Sequence, residues 1–221
     1  LAWPITNPGA IEIDPNNNNH ILVANLSGGN ASSLWVSFDG GGTWTQSGGV
    51  PQTGFWYSAT ISPANGSIVL ATNVDPQNNV YVLRSTDGGK TFALVTNVTR
   101  APLTYGRVES PRAVRGEHAL AGHRFQPQSI VQSTQPRAFV YSPAREILFN
   151  PDVKTGVPDA VLTTRLGAFI STDYGSTWQR IDATTISHSF WRAHWYNGYL
   201  YLASDGQGIL KSTGIVQPSA R

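Results

Sequence analysis

Ser37-Phe38-Asp39-Gly40-Gly41-Gly42-Thr43-Trp44 is the stretch on which the reading turns. It returns 48 residues on as Ser85-Thr86-Asp87-Gly88-Gly89-Lys90-Thr91-Phe92, and 86 residues after that as Ser171-Thr172-Asp173-Tyr174-Gly175-Ser176-Thr177-Trp178. An aspartate opening a tight turn accepts hydrogen bonds from the backbone N–H groups just after it. Glycine supplies a φ > 0 position there, and Ser and Thr satisfy further backbone polar groups. The aromatic residue that follows starts the next strand and packs between sheets.

Around each turn lies a longer shared pattern. Ala10-Ile11-Glu12-Ile13-Asp14-Pro15 is followed by Ile21-Leu22-Val23-Ala24, by Leu34-Trp35-Val36-Ser37 and by the turn. The second copy runs from Ser58 through Ile68-Val69-Leu70-Ala71 and Val80-Tyr81-Val82, and the third from Ile147 through Ala160-Val161-Leu162-Thr163 and Ala168-Phe169-Ile170. A fourth starts near Arg192, continues through Tyr199-Leu200-Tyr201-Leu202 and ends at Ile209-Leu210-Lys211-Ser212, so Ser212 and not Ser204 holds the turn position. Three short strands, a turn and a fourth strand, repeated, predict an all-β fold: a β-propeller of four-stranded antiparallel blades. Four blades are legible in 1–221, or five if 98–144 is a degenerate blade; the other reading of 98–144 is an insertion on the substrate face. Residues 1–6 read as the outer strand of a blade whose remainder is missing. With no Met anywhere, even at position 1, this predicts a processed form or a fragment of a longer precursor, part of a larger propeller whose other blades sit on a second chain or were removed; the alternative is that residues 1–6 complete the last blade and close a small ring.

Composition agrees and narrows the function. The 221 residues are 40% hydrophobic and only 13% charged, with 22 glycines, 14 prolines and 7 tryptophans, as suits many short strands and tight turns. A net charge of +2 without Lys/Arg runs argues against nucleic acid as partner. No apolar run reaches the roughly 18 residues of a membrane span. The absence of cysteine excludes disulfides and thiolate metal sites, no His/Asp/Glu spacing points to a metal, and no cofactor is expected. Sequons at Asn25, Asn30, Asn65 and Asn97 fit a secreted glycoprotein.

The repeat resembles the Asp-box, or bacterial neuraminidase repeat, propellers, and the closing Gly198–Leu210 stretch is similar to the last blade of xyloglucanase-type secreted glycosidases. The Arg-containing N-terminal motif typical of sialidases is not seen. The resemblance implies that Asp39, Asp87 and Asp173 are structural, and that substrate binds on the face opposite these turns. Strand count puts the loops between strands two and three and between blades on that face. They carry the candidate catalytic residues Asp182, Asp205 and His188 and the candidate glycan-binding residues Trp56, Tyr57, Arg107, Arg165 and Trp191, with Asp75, Glu109, Glu117 and Glu146 as further carboxyl groups. Two carboxyl groups about 5–9.5 Å apart serve glycosidic hydrolysis, and Trp or Tyr faces suit sugar rings. Six arginines between Arg100 and Arg137 suit the carboxylate of an acidic sugar. The expected function is that of a glycoside hydrolase acting on a polysaccharide. The alternatives are a non-catalytic lectin or protein-binding propeller, and a lyase on a uronate-containing glycan with His188 or Tyr57 as base.

Overall fold

The structure is a computed structural model that describes residues 7–25, 33–51, 54–74, 80–95, 97–98, 144–164, 167–181, 189–204 and 208–212. Every regular element among them is a strand. The first sheet has β1 (Pro8–Asp14), β2 (Asn17–Asn25), β3 (Ser33–Ser37) and β4 (Thr45–Gln46) in that order. The second has β5 (Phe55–Ile61), β6 (Val69–Val74), β7 (Val80–Ser85) and β8 (Ala93–Leu94). β9 (Asn97–Val98) adds itself, in parallel, to the outer edge of the third sheet, beside β10 (Ala144–Phe149), β11 (Ala160–Thr164), β12 (Gly167–Ser171) and β13 (Thr177–Arg180). The fourth has β14 (Phe190–Tyr196), β15 (Tyr199–Ser204) and β16 (Gly208–Lys211). All pairings within the repeats are antiparallel. The β9 pairing was not legible in the sequence. The rest of 98–144 lies almost wholly outside the described residues, as do residues 1–6.

Successive sheets pack through their first strands, β1 on β5, β5 on β10 and β10 on β14. Between the first and second sheets lie Leu22, Leu34, Val36, Trp56, Ile61 and Leu83. Leu70, Val82, Ile147, Phe149, Leu162 and Trp178 fill the next interface. Val161, Ile170, Phe190, Trp195 and Leu202 fill the third. Alternation along each strand sends one set of side chains to the sheet before and the other to the sheet after. That is why an inner strand such as β6 is buried along its whole length.

The three turns share one hydrogen-bond set. Thr43 N–H donates to Asp39 Oδ1 at 2.8 Å, Thr43 Oγ1 to Asp39 Oδ2 at 2.7 Å, and Ser37 Oγ to Asp39 Oδ1 at 2.8 Å. Gly41 N–H donates in turn to Ser37 Oγ at 2.8 Å. The same bonds recur at Ser85, Asp87, Gly89 and Thr91, and at Ser171, Asp173, Gly175 and Thr177. The glycine is needed for two reasons. Its φ is +87° at Gly89 and +78° at Gly175, and a Cβ on Gly175 would lie 2.3 Å from Leu70 of the preceding sheet. The residue before it also has positive φ, which Tyr174 adopts at 58° in the third turn.

A cross-sheet clamp sits beside the second turn. Buried His20 donates through Nε2–H to the Gly88 carbonyl at 2.8 Å, while its Nδ1 lies 3.1 Å from Asp14 Oδ2. Its ring stacks on Phe38 with centroids 4.8 Å apart. Asp14 is thus structural.

Candidate functional site

Register fixes which ends of the sheets share a side. Ile21 pairs with both Ile13 and Ser37, so the end of β1, the start of β2 and the start of the turn lie together. Pro8, Asn25 and Ser33 mark the opposite end, as do Phe55 with Val74, Ala144 with Thr164, and Phe190 with Ser204. Ser204 therefore sits away from the turns, as its place between the second and third strands required.

At that opposite end all four first strands carry the same irregularity. Pairing skips one residue between Pro8 and Ala10, Trp56 and Ser58, Ala144 and Glu146, and Phe190 and Arg192. Each is a β-bulge, and Gly9, Tyr57, Arg145 or Trp191 is the extra residue that the register skips. The extra residue shifts the phase of the strand. Trp56 lands on the same side as Ala59 and Ile61, and Phe190 on the same side as Ala193 and Trp195, three residues away instead of two. Both pre-bulge aromatics are fully buried, and the left-over aromatics are not: Tyr57 is 41% exposed and Trp191 46%. Phe55, also exposed, leans on Tyr57 with ring centroids 6.3 Å apart and planes at 54°.

Of the residues expected to bind glycan, Tyr57 and Trp191 thus occupy equivalent positions two sheets apart, on the side away from the turns. Trp56 is corrected: it is a core residue between the first and second sheets, and its ring offers no face to a ligand. Sequence placed it beside Tyr57 because strand alternation alone does not reveal a bulge. Asp182, His188, Asp205, Arg107 and Arg165 lie outside the described residues, as do Asp75, Glu109 and Glu117. Described residues flank several of them. Phe190 and Ser204 pair at the bulge end, and so do Thr164 and Gly167.

Among the described side chains, the charged groups near the bulges are Glu12, Glu146 and Arg192. Glu146 accepts the Ala193 N–H through Oε2 at 2.6 Å and pairs through Oε1 with Arg192 Nη1 at 3.0 Å. Glu12 has its carboxyl raised to about 7, first by burial and then by the negative charge of Glu146. Sequence reasoning included Glu146 among several carboxyl groups and missed Glu12, which reads as an ordinary exposed strand residue until neighbouring sheets are packed on it.

On the turn side an open groove of about 410 Å³ is lined by Arg84, Thr86, Thr91, Leu94 and Ser176. Arg84 Nε–H donates to the Tyr174 carbonyl at 2.8 Å. Its counterparts one residue before the other turns are Val36 and Ile170, so this lining is not repeated from sheet to sheet. Of the sequons, Asn25 is buried within β2 and Asn65 is exposed. Burial removes Asn25 as a glycan acceptor in the folded chain.

Among solved structures, the chain is similar to the GH74 xyloglucanase from Xanthomonas campestris, with a TM-score of 0.57 and 17% identity over 100% of this chain and 32% of that one. An ancestral GH74 enzyme gives 0.57 and 16%, covering 91% of this chain and 22% of that one. A GH74 enzyme of Niastella koreensis gives 0.53 and 19%, covering 91% and 27%. The fold is a β-propeller. The four sheets are its blades, and the chain spans 22% to 32% of the length of these neighbours. No family model and no curated protein sequence matches the chain.

Proposed function

We propose that this chain belongs to a secreted carbohydrate-active propeller that binds a polysaccharide across the bulge end of its blades and hydrolyses it. One observation carries the reading: Tyr57 and Trp191 are large aromatic residues left half-exposed at equivalent bulges, opposite the turns. An exposed ring of this kind removes apolar C–H surface of a sugar from water on one face while leaving its hydroxyls solvated on the other. The likeness in fold to polysaccharide-acting GH74 enzymes supports the same reading.

Within this proposal the three turns are Asp-boxes, whose aspartates accept hydrogen bonds from the turn on both oxygens and serve the fold. Asp182 and Asp205 are the two carboxyl groups of hydrolysis, one acid and one base or nucleophile, and His188 is the third catalytic residue. Arg107 and Arg165 hold the glycan, and a uronate carboxylate is the group their guanidinium forks match. The 98–144 stretch belongs to the substrate face, and further blades, on this or a second chain, complete the ring.

The test is binding and turnover on two soluble polysaccharides, neutral xyloglucan and acidic polygalacturonate, with reducing ends measured. Trp191→Ala and Tyr57→Ala are each expected to weaken binding about tenfold or more without moving the melting temperature. Binding that survives both substitutions overturns the reading. Binding without new reducing ends makes the propeller a lectin, and an unsaturated product makes it a lyase.

A further inference from the structure

Of the four sequons, Asn65-Gly66-Ser67 alone is described along its whole length. Its loop joins β5 to β6 at the turn end of the second blade, since Ile61 pairs with Val69 and Val69 with Ser85. Fully buried Ser62 sets the course of the loop. Its carbonyl accepts the Asn65 N–H at 3.3 Å, and its Oγ accepts the Ala64 N–H at 3.4 Å. Asn65 then opens a tight turn in which its own carbonyl accepts the Ile68 N–H at 2.9 Å. Its side-chain Oδ1 accepts the Ser67 N–H at 3.0 Å, and its Nδ2 has no partner among the described residues. The loop is held from outside as well. Asn16 of the first blade donates through Nδ2 to the Pro63 carbonyl at 2.7 Å, and the Gly88 N–H donates to the Ser67 carbonyl at 2.9 Å. Gly66 lies so close to Asp14 Oδ2 that no Cβ fits between them. The backbone of the sequon is thus fixed by its neighbours, while Asn65 and Ser67 are both exposed.

We propose that Asn65 is an N-glycosylation site, and that its oligosaccharide leaves the molecule on the turn side, at the opposite end of the blades from the bulges. The new bond joins Nδ2 to the anomeric carbon of a lipid-linked oligosaccharide diphosphate. The amide gives up one proton, and the lipid diphosphate leaves with the electrons of the broken sugar–oxygen bond. Transfer acts on the chain before it folds, so the acceptor turn must be local. Here the bonds from Asn65 to Ser67 and Ile68 lie within four residues, and the turn forms without the rest of the blade. The folded chain must then have room for the sugar. Exposed Asn65 has it, whereas Asn25 is 3% exposed within β2 and has none. Ser67 supplies the hydroxyl that the third sequon position requires. A hydrated oligosaccharide at this place keeps the turn side of the first and second blades in solvent and leaves the bulge end clear for a polymer. The proposal rests on the chain being secreted, and the test separates the site from the polysaccharide reading.

The full chain is directed into the secretory pathway of a eukaryotic host and recovered from the medium and from the endoplasmic reticulum. Mass spectrometry of the peptide holding Asn65 is expected to show an oligosaccharide there. Release by peptide N-glycosidase in heavy-oxygen water marks the site and distinguishes it from spontaneous deamidation at Asn65-Gly66. Ser67→Ala removes the oligosaccharide from Asn65, and Ser67→Thr keeps it. Asn65→Gln is expected to bind xyloglucan as the glycosylated chain does, because the two sites lie at opposite ends of the blades. A bare Asn65 in folded chain from either fraction overturns the site, whether or not the chain binds polysaccharide. Binding that changes about tenfold or more in Asn65→Gln overturns the placement of the oligosaccharide away from the ligand. An oligosaccharide at Asn65 on a chain without polysaccharide affinity upholds the site and overturns the polysaccharide reading.

Discussion

Two kinds of carboxylate respond to pH in opposite directions. The turn aspartates are held ionised by donors. Thr43 and Ser37 bring Asp39 down to about 2, and the hydrogen bonds of Thr91 and Ser85 lower Asp87 despite partial burial. A depressed carboxyl adds stability that is present above its unfolded value near 3.8 and is lost as pH falls towards 2. Asp87→Ala should therefore cost about 1 kcal/mol at neutral pH and leave turnover per folded molecule unchanged. Unchanged melting with abolished turnover would show instead that Asp87 takes part in the chemistry. Glu12 and buried Asp159 are both raised to about 7 by burial. For them the folded chain keeps a proton that the unfolded chain releases near 4.5 and 3.8, so the stability they contribute is full at low pH and lost as pH rises through 7. Glu12→Gln should raise stability at pH 8 by about 1–3 kcal/mol and change little at pH 4. Urea melts at the two pH values measure the difference, and equal effects at both would show that Glu12 is ionised in the fold.

At the scale of the element, the bulge sorts neighbouring aromatics into core and surface. Trp56 and Phe190 are fully buried, while Tyr57 and Trp191, one residue on, are exposed. Trp56→Ala should cost about 3–5 kcal/mol, because a large cavity opens between the first two blades. Tyr57→Ala should stay within about 0.5 kcal/mol. Comparable costs in thermal melts would mean that the strand is not bulged at this point. None of this is legible in Phe55-Trp56-Tyr57, where three aromatics in a row look alike. The turns are the opposite case, since their bonding is local: Ser, Asp, Gly and Thr lie within seven residues and meet one another in any strand context that closes the turn. The fully buried Trp178 and half-buried Trp44 donate alike, to Gly175 and Gly41 carbonyls at 3.1 Å, and differ only in what packs over them.

For the whole molecule, the repeated interface exposes an asymmetry. Ile11, Ala59, Ile147 and Ala193 share one register position, the second after the bulge, and face the preceding blade. Ile147 is 1% exposed, whereas Ile11 in the first blade is 58% exposed. Ile13 is likewise exposed while its counterparts Ile61, Phe149 and Trp195 are buried. Ile147→Lys should accordingly cost more than about 3 kcal/mol, since it places an unpaired charge between blades, and Ile11→Lys no more than about 0.5 kcal/mol in this chain alone. A large cost at Ile11 in dilute solution would show that another surface covers it, as a further blade or a second chain would.

The sequence by itself determined the order of strands within each repeat, the three turns and the side of each blade on which those turns lie, because these depend on spacing of a few residues and on period-two alternation. It also singled out Tyr57 and Trp191, as large aromatics near strand starts. Only the tertiary structure removed Trp56 from the ligand face, set Glu12 against the charge of Glu146, tied His20 to Gly88 68 residues away, and joined Glu146 to the flank of Trp191 across 46 residues. The physical reason is common to all four. A bulge changes the phase of a strand, and burial and latching arise where one blade meets the next, so neither is encoded in the local pattern of either partner.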